Sequence, residues 1–357
     1  MRKAVVCGAA LAATCVSVVV WSPQAAPAEP SPATISPAAA PGTAADTART
    51  RRSPDRADGS VTSGSAVMVT PSLPKFGTYS FGHDRRQRID AYWRPTAKDA
   101  RPKTDAGDDR RVAVSTAPGE KPRPAVLLLH GGYWLEGDKS GWTYFARRLT
   151  DEGFAVFASD YRLAGTGADA VWPAQRDDAL SALEFVKKNA GRWNVDPDRI
   201  VVVGSSAGGM LATQLGTYGE GGSLVRGVVA LSPVNNPYLA YEDGGVPTAD
   251  ARQRKLRRAV IDLVGCTPSP EDEECWSRVT DADSATHAST GDAPMLLMHA
   301  ADDFVPVAHS TGLASALRAD GVSVTVKTVP HVGHGTGQLT DPQVYPRILA
   351  FLKARTR

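Results

Sequence analysis

Neither sign of charge prevails in this chain. Its 357 residues carry 40 Lys and Arg against 38 Asp and Glu, a net charge of +2. That balance offers no electrostatic case for nucleic acid, for an anionic membrane surface, or for steering of acidic substrates. Long apolar runs are missing except for one at the extreme N-terminus, which excludes a multi-span membrane protein. Cysteine is scarce, with four in all. Cys7 and Cys15 fall in the N-terminal run. Cys266 and Cys275 stand nine positions apart, which is not a CxxC redox or zinc signature. No internal repeat is present, so a solenoid is excluded. What remains is a 42% hydrophobic chain, long enough to bury a sizeable core in one large or two ordinary domains.

The N-terminus has the layout of a secretory signal over residues 1–28. Arg2 and Lys3 are followed by an uncharged run to Trp21, then by small residues at A-x-A spacing before Glu29. An uncleaved anchor and a lipobox ending at Cys15 are the alternatives. Residues 29–70 are rich in Ala, Pro, Thr, Ser and Gly, with few large apolar side chains. Such a stretch cannot offset its own ordering entropy, so a disordered linker is expected, holding the domain away from a cell envelope. In an oxidising compartment a disulfide between Cys266 and Cys275 is expected; two buried thiols are the alternative.

From residue 71 onward the pattern alternates. Short apolar runs at Ala125–Leu129, Phe154–Ala158, Arg199–Val203, Val225–Leu231, Met295–Met298 and Val322–Val329 read as strands. Thr143–Asp151 and Gln175–Asn189 read as amphipathic helices between them. Continuous apolar strands separated by helices imply an α/β fold with a mostly parallel sheet covered on both faces. Gly77–Phe81 and Arg88–Trp93 read as an antiparallel pair leading in. Ala97–Arg110 reads as a long polar surface loop, and the polar, Pro-containing stretch Val260–Ala288 as an insertion. In open α/β sheets ligands bind at the carboxyl ends of strands, so residues just after each strand carry the information.

Three such places carry chemistry. Gly204-Ser205-Ser206-Ala207-Gly208 is G-x-S-x-G with a strand before it and a helix after it, a turn that puts Ser206 at its apex. The spacing is not G-x-G-x-x-G, so a dinucleotide reading fails. His130-Gly131-Gly132-Tyr133-Trp134 follows another strand. Its amides, with that of Ala207, suit an oxyanion: Gly132 and Tyr133 are the best donors and Gly131 a third candidate. His130 is read as bracing this loop. A serine nucleophile needs a base, and the base should come last in the chain. His331 and His334 follow the final strand, and His334 is favoured. The acid should follow Met295–Met298, where Asp302 and Asp303 both qualify, and only one of two adjacent side chains can serve. The alternative that His331 and His334 hold a metal lacks further ligands. No metal and no cofactor are expected.

These residues resemble the α/β-hydrolase superfamily, and within it the esterase branch with hormone-sensitive-lipase-like enzymes, feruloyl and acetyl-xylan esterases and kynurenine formamidases. The resemblance runs from about Phe76 to the C-terminus. It rests on His130–Trp134, Ser159-Asp160-Tyr161-Arg162-Leu163, Trp172-Pro173-Ala174-Gln175 with Asp177-Asp178, Trp193–Ile200 and the serine turn. It implies Ser206 as nucleophile and His334 as base. The family's D-x-x-V-P pattern selects Asp302, although Ala300 replaces the usual Gly. The expected function is therefore an exported serine hydrolase cleaving small-molecule or polysaccharide-linked carboxylic esters through an acyl-enzyme. An amidase or peptidase on the same fold and a non-catalytic binding module are the rivals, since fold does not fix substrate. The aromatics Tyr133, Trp134, Trp172 and Tyr238 are candidates for lining the pocket.

Overall fold

The apolar runs of the sequence become the middle of one sheet. A computed structural model describes residues 73–95, 121–165 and 170–357. The expected signal, the linker 29–70 and the polar stretch Ala97–Arg110 lie outside the described residues. The described residues all fall in one unit, Val69–Arg357. The strands are β1 (Lys75–Ser80), β2 (Arg88–Trp93), β3 (Arg123–Leu129), β4 (Ala155–Ser159), β5 (Val195–Ser205), β6 (Gly227–Leu231), β7 (Met295–Ala300) and β8 (Val324–Val329). Helices α1 (Thr143–Asp151), α2 (Ala174–Lys188), α3 (Ala207–Thr217), α4 (Gly221–Leu224), α5 (Pro237–Asp243), α6 (Ala251–Val264), α7 (Glu273–Ala282), α8 (Ala308–Ala319) and α9 (Val344–Arg355) connect them.

The sheet order is β1-β2-β4-β3-β5-β6-β7-β8. β1 and β2 pair antiparallel, β2 runs antiparallel to β4, and every later pair is parallel. The alternating pattern implied the mostly parallel sheet, and the resemblance implied its α/β-hydrolase arrangement. β4, β6 and β7 are buried along their whole length, whereas the edge strands β1 and β8 are largely exposed. Side chains alternate between the two faces. Leu127, Leu129, Val202 and Leu297 join one core with α2 and α3. Val126, Leu128, Val203 and Val229 join the other with α1 and α9. Each such side chain is fully buried and contributes about 1.5–3 kcal/mol of hydrophobic stabilisation.

The expected insertion is larger than Val260–Ala288. Residues 232–294 all lie between β6 and β7 and hold α5, α6 and α7, so the expected boundary at Val260 cuts α6 in two. The first half of α6 reads Arg-Gln-Arg-Lys-Leu-Arg-Arg, and these cations mask the apolar stripe of Leu256, Ala259, Val260, Leu263 and Val264 that buries it. Asp250 caps this helix with a reciprocal bond to Gln253. The sulfur atoms of Cys266 and Cys275 lie at bonding distance, 1.99 Å, between α6 and α7.

One buried charge pins the strand ends together. Asp178 on α2 accepts bonds from the Arg162 amide (2.8 Å), the Arg162 guanidinium (2.7 Å) and the Gln87 amide group (2.8 Å). Its side chain is 1% exposed. Removing one partner of a buried pair leaves an uncompensated charge. Arg162→Ala is therefore expected to lower unfolding free energy by about 3 kcal/mol, read by urea denaturation. A loss under about 1 kcal/mol would show that Gln87 and the backbone hold Asp178 unaided.

Candidate active site

Ser206 sits at a turn that its flanking glycines permit. It has φ 55° and ψ −120°, a strained conformation for a residue with a side chain. β5 enters the turn and α3 leaves it so tightly that a Cβ on Gly204 would lie 2.0 Å from the Gly208 carbonyl oxygen. A Cβ on Gly208 would lie 2.2 Å from the His130 carbonyl oxygen. The Ser206 amide donates to Leu231 on β6 (2.8 Å), which fixes the turn from the other side. Ser206 also stands at the N-terminus of α3, where the helix dipole favours negative charge.

The loop after β3 runs through three successive positive φ values, at Gly132 (128°), Tyr133 (57°) and Trp134 (62°). The scaffold holds this shape through its carbonyls. Tyr161 donates its hydroxyl to the His130 carbonyl (2.8 Å), and the His130 ring donates to the Gly131 carbonyl (2.8 Å). The amides of Leu135 and Glu136 both donate to the Gly132 carbonyl. His130 stacks on Tyr161 at 4.3 Å between ring centroids, and burial pushes its pKa down, so it is a neutral brace. Gly131, Gly132 and Tyr133 line a cleft of about 440 Å³ together with Ser206 and His334.

His334 follows β8, and its Nδ1 lies 2.7 Å from Oδ1 of Asp303. The expected acid, Asp302, is not there: it is exposed, with its backbone in the turn after β7. The shift has a local cause. Asp303 Oδ1 also accepts from the Val305 amide (3.1 Å), so its carboxylate closes its own turn and faces inward. The pattern in this chain is thus D-x-V-P, one residue shorter than the spacing that pointed to Asp302. Burial pushes the Asp303 carboxyl up, but the bonds from His334, Ser232 and Val305 outweigh it and hold the carboxyl below the ordinary range. The ionised carboxylate fixes the proton on Nδ1 of His334 and leaves Nε2 as the basic atom. Nε2 is buried and has no hydrogen-bond partner among the described residues. His331 is exposed and stands apart from this arrangement.

Sequence reasoning missed Ser232. It follows β6 with φ 48°, donates its hydroxyl to Asp303 Oδ2, and accepts from the Gly335 amide (3.0 Å) and the Gln338 side chain (2.8 Å). One hydroxyl thus ties the acid to the residue that follows His334. The rule that strand ends carry information would have found it in Leu231-Ser232-Pro233. Of the four candidate lining aromatics, Tyr133 alone borders the cleft. Trp134 and Trp172 are buried in the core, Trp172 bonding Asp281, and Tyr238 packs on Trp276.

A family model with the description BD-FAE matches residues 114–317, more than half the chain. The chain belongs to the BD-FAE family. It stands in the esterase branch of the α/β-hydrolase superfamily. An AB hydrolase superfamily protein of Schizosaccharomyces pombe is 33% identical over 165 residues, covering 46% of this chain and 44% of that protein. Versiconal hemiacetal acetate esterase of Dothistroma septosporum is 29% identical over 168 residues, covering 42% and 50%. The chain spans about half the length of these curated relatives. Among solved structures, the thermophilic carboxylesterase EstE1 from a metagenomic library superposes with a TM-score of 0.62 at 23% identity. That match covers 81% of this chain and 92% of EstE1 and shows the shared fold.

Two further histidines, His299 and His309, are buried behind Asp303. His299 bonds Ser310 (3.0 Å) and His309 accepts from the Asn236 amide (3.2 Å). Burial pushes their pKa values down, to about 4 and about 3. The unfolded chain therefore binds protons that the folded one refuses, and stability present above pH 6.5 is lost as pH falls toward 4. Each costs about 2 kcal/mol between pH 6.5 and 5. In urea titrations at pH 7 and pH 5, His309→Gln is expected to lose about 2 kcal/mol less than the unaltered chain. Equal losses would show that His309 protonates in the folded state.

Proposed function

We propose that the protein is an exported serine esterase in which Ser206, His334 and Asp303 form the triad. The observation that carries this reading is the His334–Asp303 bond in the same cleft as Ser206 on its strained turn. Ser206 Oγ attacks the ester carbonyl and passes its proton to His334 Nε2. The carbonyl becomes a tetrahedral oxyanion, received by the amides of Gly132, Tyr133 and Ala207. As it collapses the C–O bond to the alcohol breaks, and His334 gives its proton to the leaving oxygen. Water, deprotonated by His334, then attacks the acyl-enzyme and releases the acid and free Ser206. The reaction needs no cofactor. Family membership and the esterase names among the relatives support an ester, not an amide, as the bond cleaved.

The test is labelling with a fluorophosphonate, mapped by mass spectrometry, beside hydrolysis of 4-nitrophenyl butyrate. Label is expected on Ser206. Ser206→Ala is expected to lose label and nearly all turnover, and Asp303→Asn to lose at least ~10³-fold in kcat through the wrong histidine tautomer. Asp302→Asn is expected to stay within about threefold, as an exposed residue away from the reacting atoms. Equal losses at both aspartates, or turnover by Ser206→Ala, would overturn the triad.

Export is supported by the n-region Arg2-Lys3, the uncharged run and the small residues before Glu29. A Cys266–Cys275 disulfide fits the same compartment. Expressed in a bacterial host, the protein is expected outside the cytoplasm with an N-terminus near residue 29. Both remaining cysteines should resist alkylation until reduced. Protein retained inside the cell with Met1 intact, as read by peptide mass, would refute export.

A further inference from the structure

The near-zero net charge conceals a strongly basic segment at the mouth of the cleft. Helix α6 carries Arg252, Arg254, Lys255, Arg257 and Arg258 and a single acid, Asp262. Arg254 and Arg257 are held by the carbonyls of Ala249 and Tyr241. Arg252 and Lys255 instead reach the rim of the site. The Tyr133 ring, which borders the cleft, stacks on Phe304 at 6.1 Å, and Phe304 lies 4.4 Å from the His334 ring. Lys255 Nζ stands 4.4 Å over the Tyr133 ring, and the Arg252 guanidinium 4.9 Å over that of Phe304. A stacked pair of aromatic rings, one of them beside the base, is therefore covered by two cations.

Both cations already hold carboxylates: Lys255 holds Glu136 at 2.6 Å and Arg252 holds Asp250 at 3.0 Å. The side chains of Lys255 and Arg252 are 42% and 59% exposed, and those of Glu136 and Asp250 are 58% and 43% exposed. Ion pairs this open to water are weak and exchange readily. They mark where a carboxylate sits when it approaches the rim.

We propose that Arg252 and Lys255 form a subsite for a carboxylate on the substrate, so that the site prefers esters bearing a free acid near the scissile bond. This rests on the ester-hydrolase reading and adds a substrate class to it. The carboxylate replaces Glu136 at Lys255 or Asp250 at Arg252 while the ester carbonyl lies at Ser206. The carboxylate meets one cation at a time, and a single exposed charge pair gives a factor of a few.

The test compares kcat/KM within matched pairs. Mono-4-nitrophenyl glutarate against 4-nitrophenyl butyrate places the acid on the acyl side. 3-Carboxyphenyl butyrate against phenyl butyrate places it on the alcohol side. In one pair, Arg252→Gln/Lys255→Gln is expected to lower the acid-to-neutral ratio about three- to fivefold. Glu136→Gln, which removes a competing carboxylate, is expected to raise it. The native preference should shrink as NaCl rises to about 0.5 M, because exposed charges are screened. Arg147→Gln/Lys188→Gln, the same charge change on α1 and α2, controls for net charge and should leave the ratio unmoved. The pair that responds identifies the side on which the acid is carried. A ratio that moves in neither pair, or moves equally in the control, overturns the subsite. If the unaltered protein hydrolyses no neutral ester and takes no fluorophosphonate on Ser206, the ester reading itself falls and the subsite with it.

Discussion

The turn carrying Ser206 presses against the end of β3 so closely that no side chain fits between them. Gly208 meets the carbonyls of Leu129 and His130, and Gly131 in turn meets the carbonyl of Ser205. This mutual approach brings the serine and the glycine loop into one cleft, and it is possible only because β3 and β5 are neighbours in the sheet. Parallel pairing puts both strand ends on the same edge, and glycine removes the side chains that would hold the two turns apart. The strain at Ser206, Tyr133 and Trp134 is sustained by this packing and by the bonds to the carbonyls of His130, Gly131 and Gly132.

The other half of the site depends on a single hydroxyl. Ser232 joins the acid after β7 to the loop after β8 by bonding Asp303, Gly335 and Gln338 together. A carboxylate buried as deeply as that of Asp303 is costly alone. Three donors to its two oxygens, from His334, Ser232 and Val305, keep it ionised. The histidine is thus oriented by a network spanning the ends of three strands, β6, β7 and β8.

The sheet was legible because its central strands are apolar throughout, and helices α1 and α2 because their periodicity is clean. The strand and serine turn follow from residues such as Val201–Val203 and Gly204–Gly208, whose types admit few other placements. Two things were not legible. Asp302 and Asp303 differ only in where their side chains point, and that is set by a hydrogen bond to the Val305 amide which no spacing rule encodes. Helix α6 was hidden because five cations match its five-residue apolar stripe in number, and the burial of that stripe depends on α5 and α7 folding against it. Ser232 was visible as a strand-end residue, yet a serine offers many reasons to be where it is.

The placement of residues 232–294 has a consequence for how such a site changes over time. The segment leaves the sheet at the end of β6 and returns at β7, adjacent strands whose register is fixed from Val228 and Met295 onward. Its two ends are therefore anchored by the sheet and not by its own contents. Beyond Ser232, which holds Asp303, the helices in between can be replaced, lengthened or recharged without removing a bond to Ser206, Asp303 or His334. Selectivity can then drift independently of the chemistry, with one continuous stretch of chain acting as an exchangeable cassette.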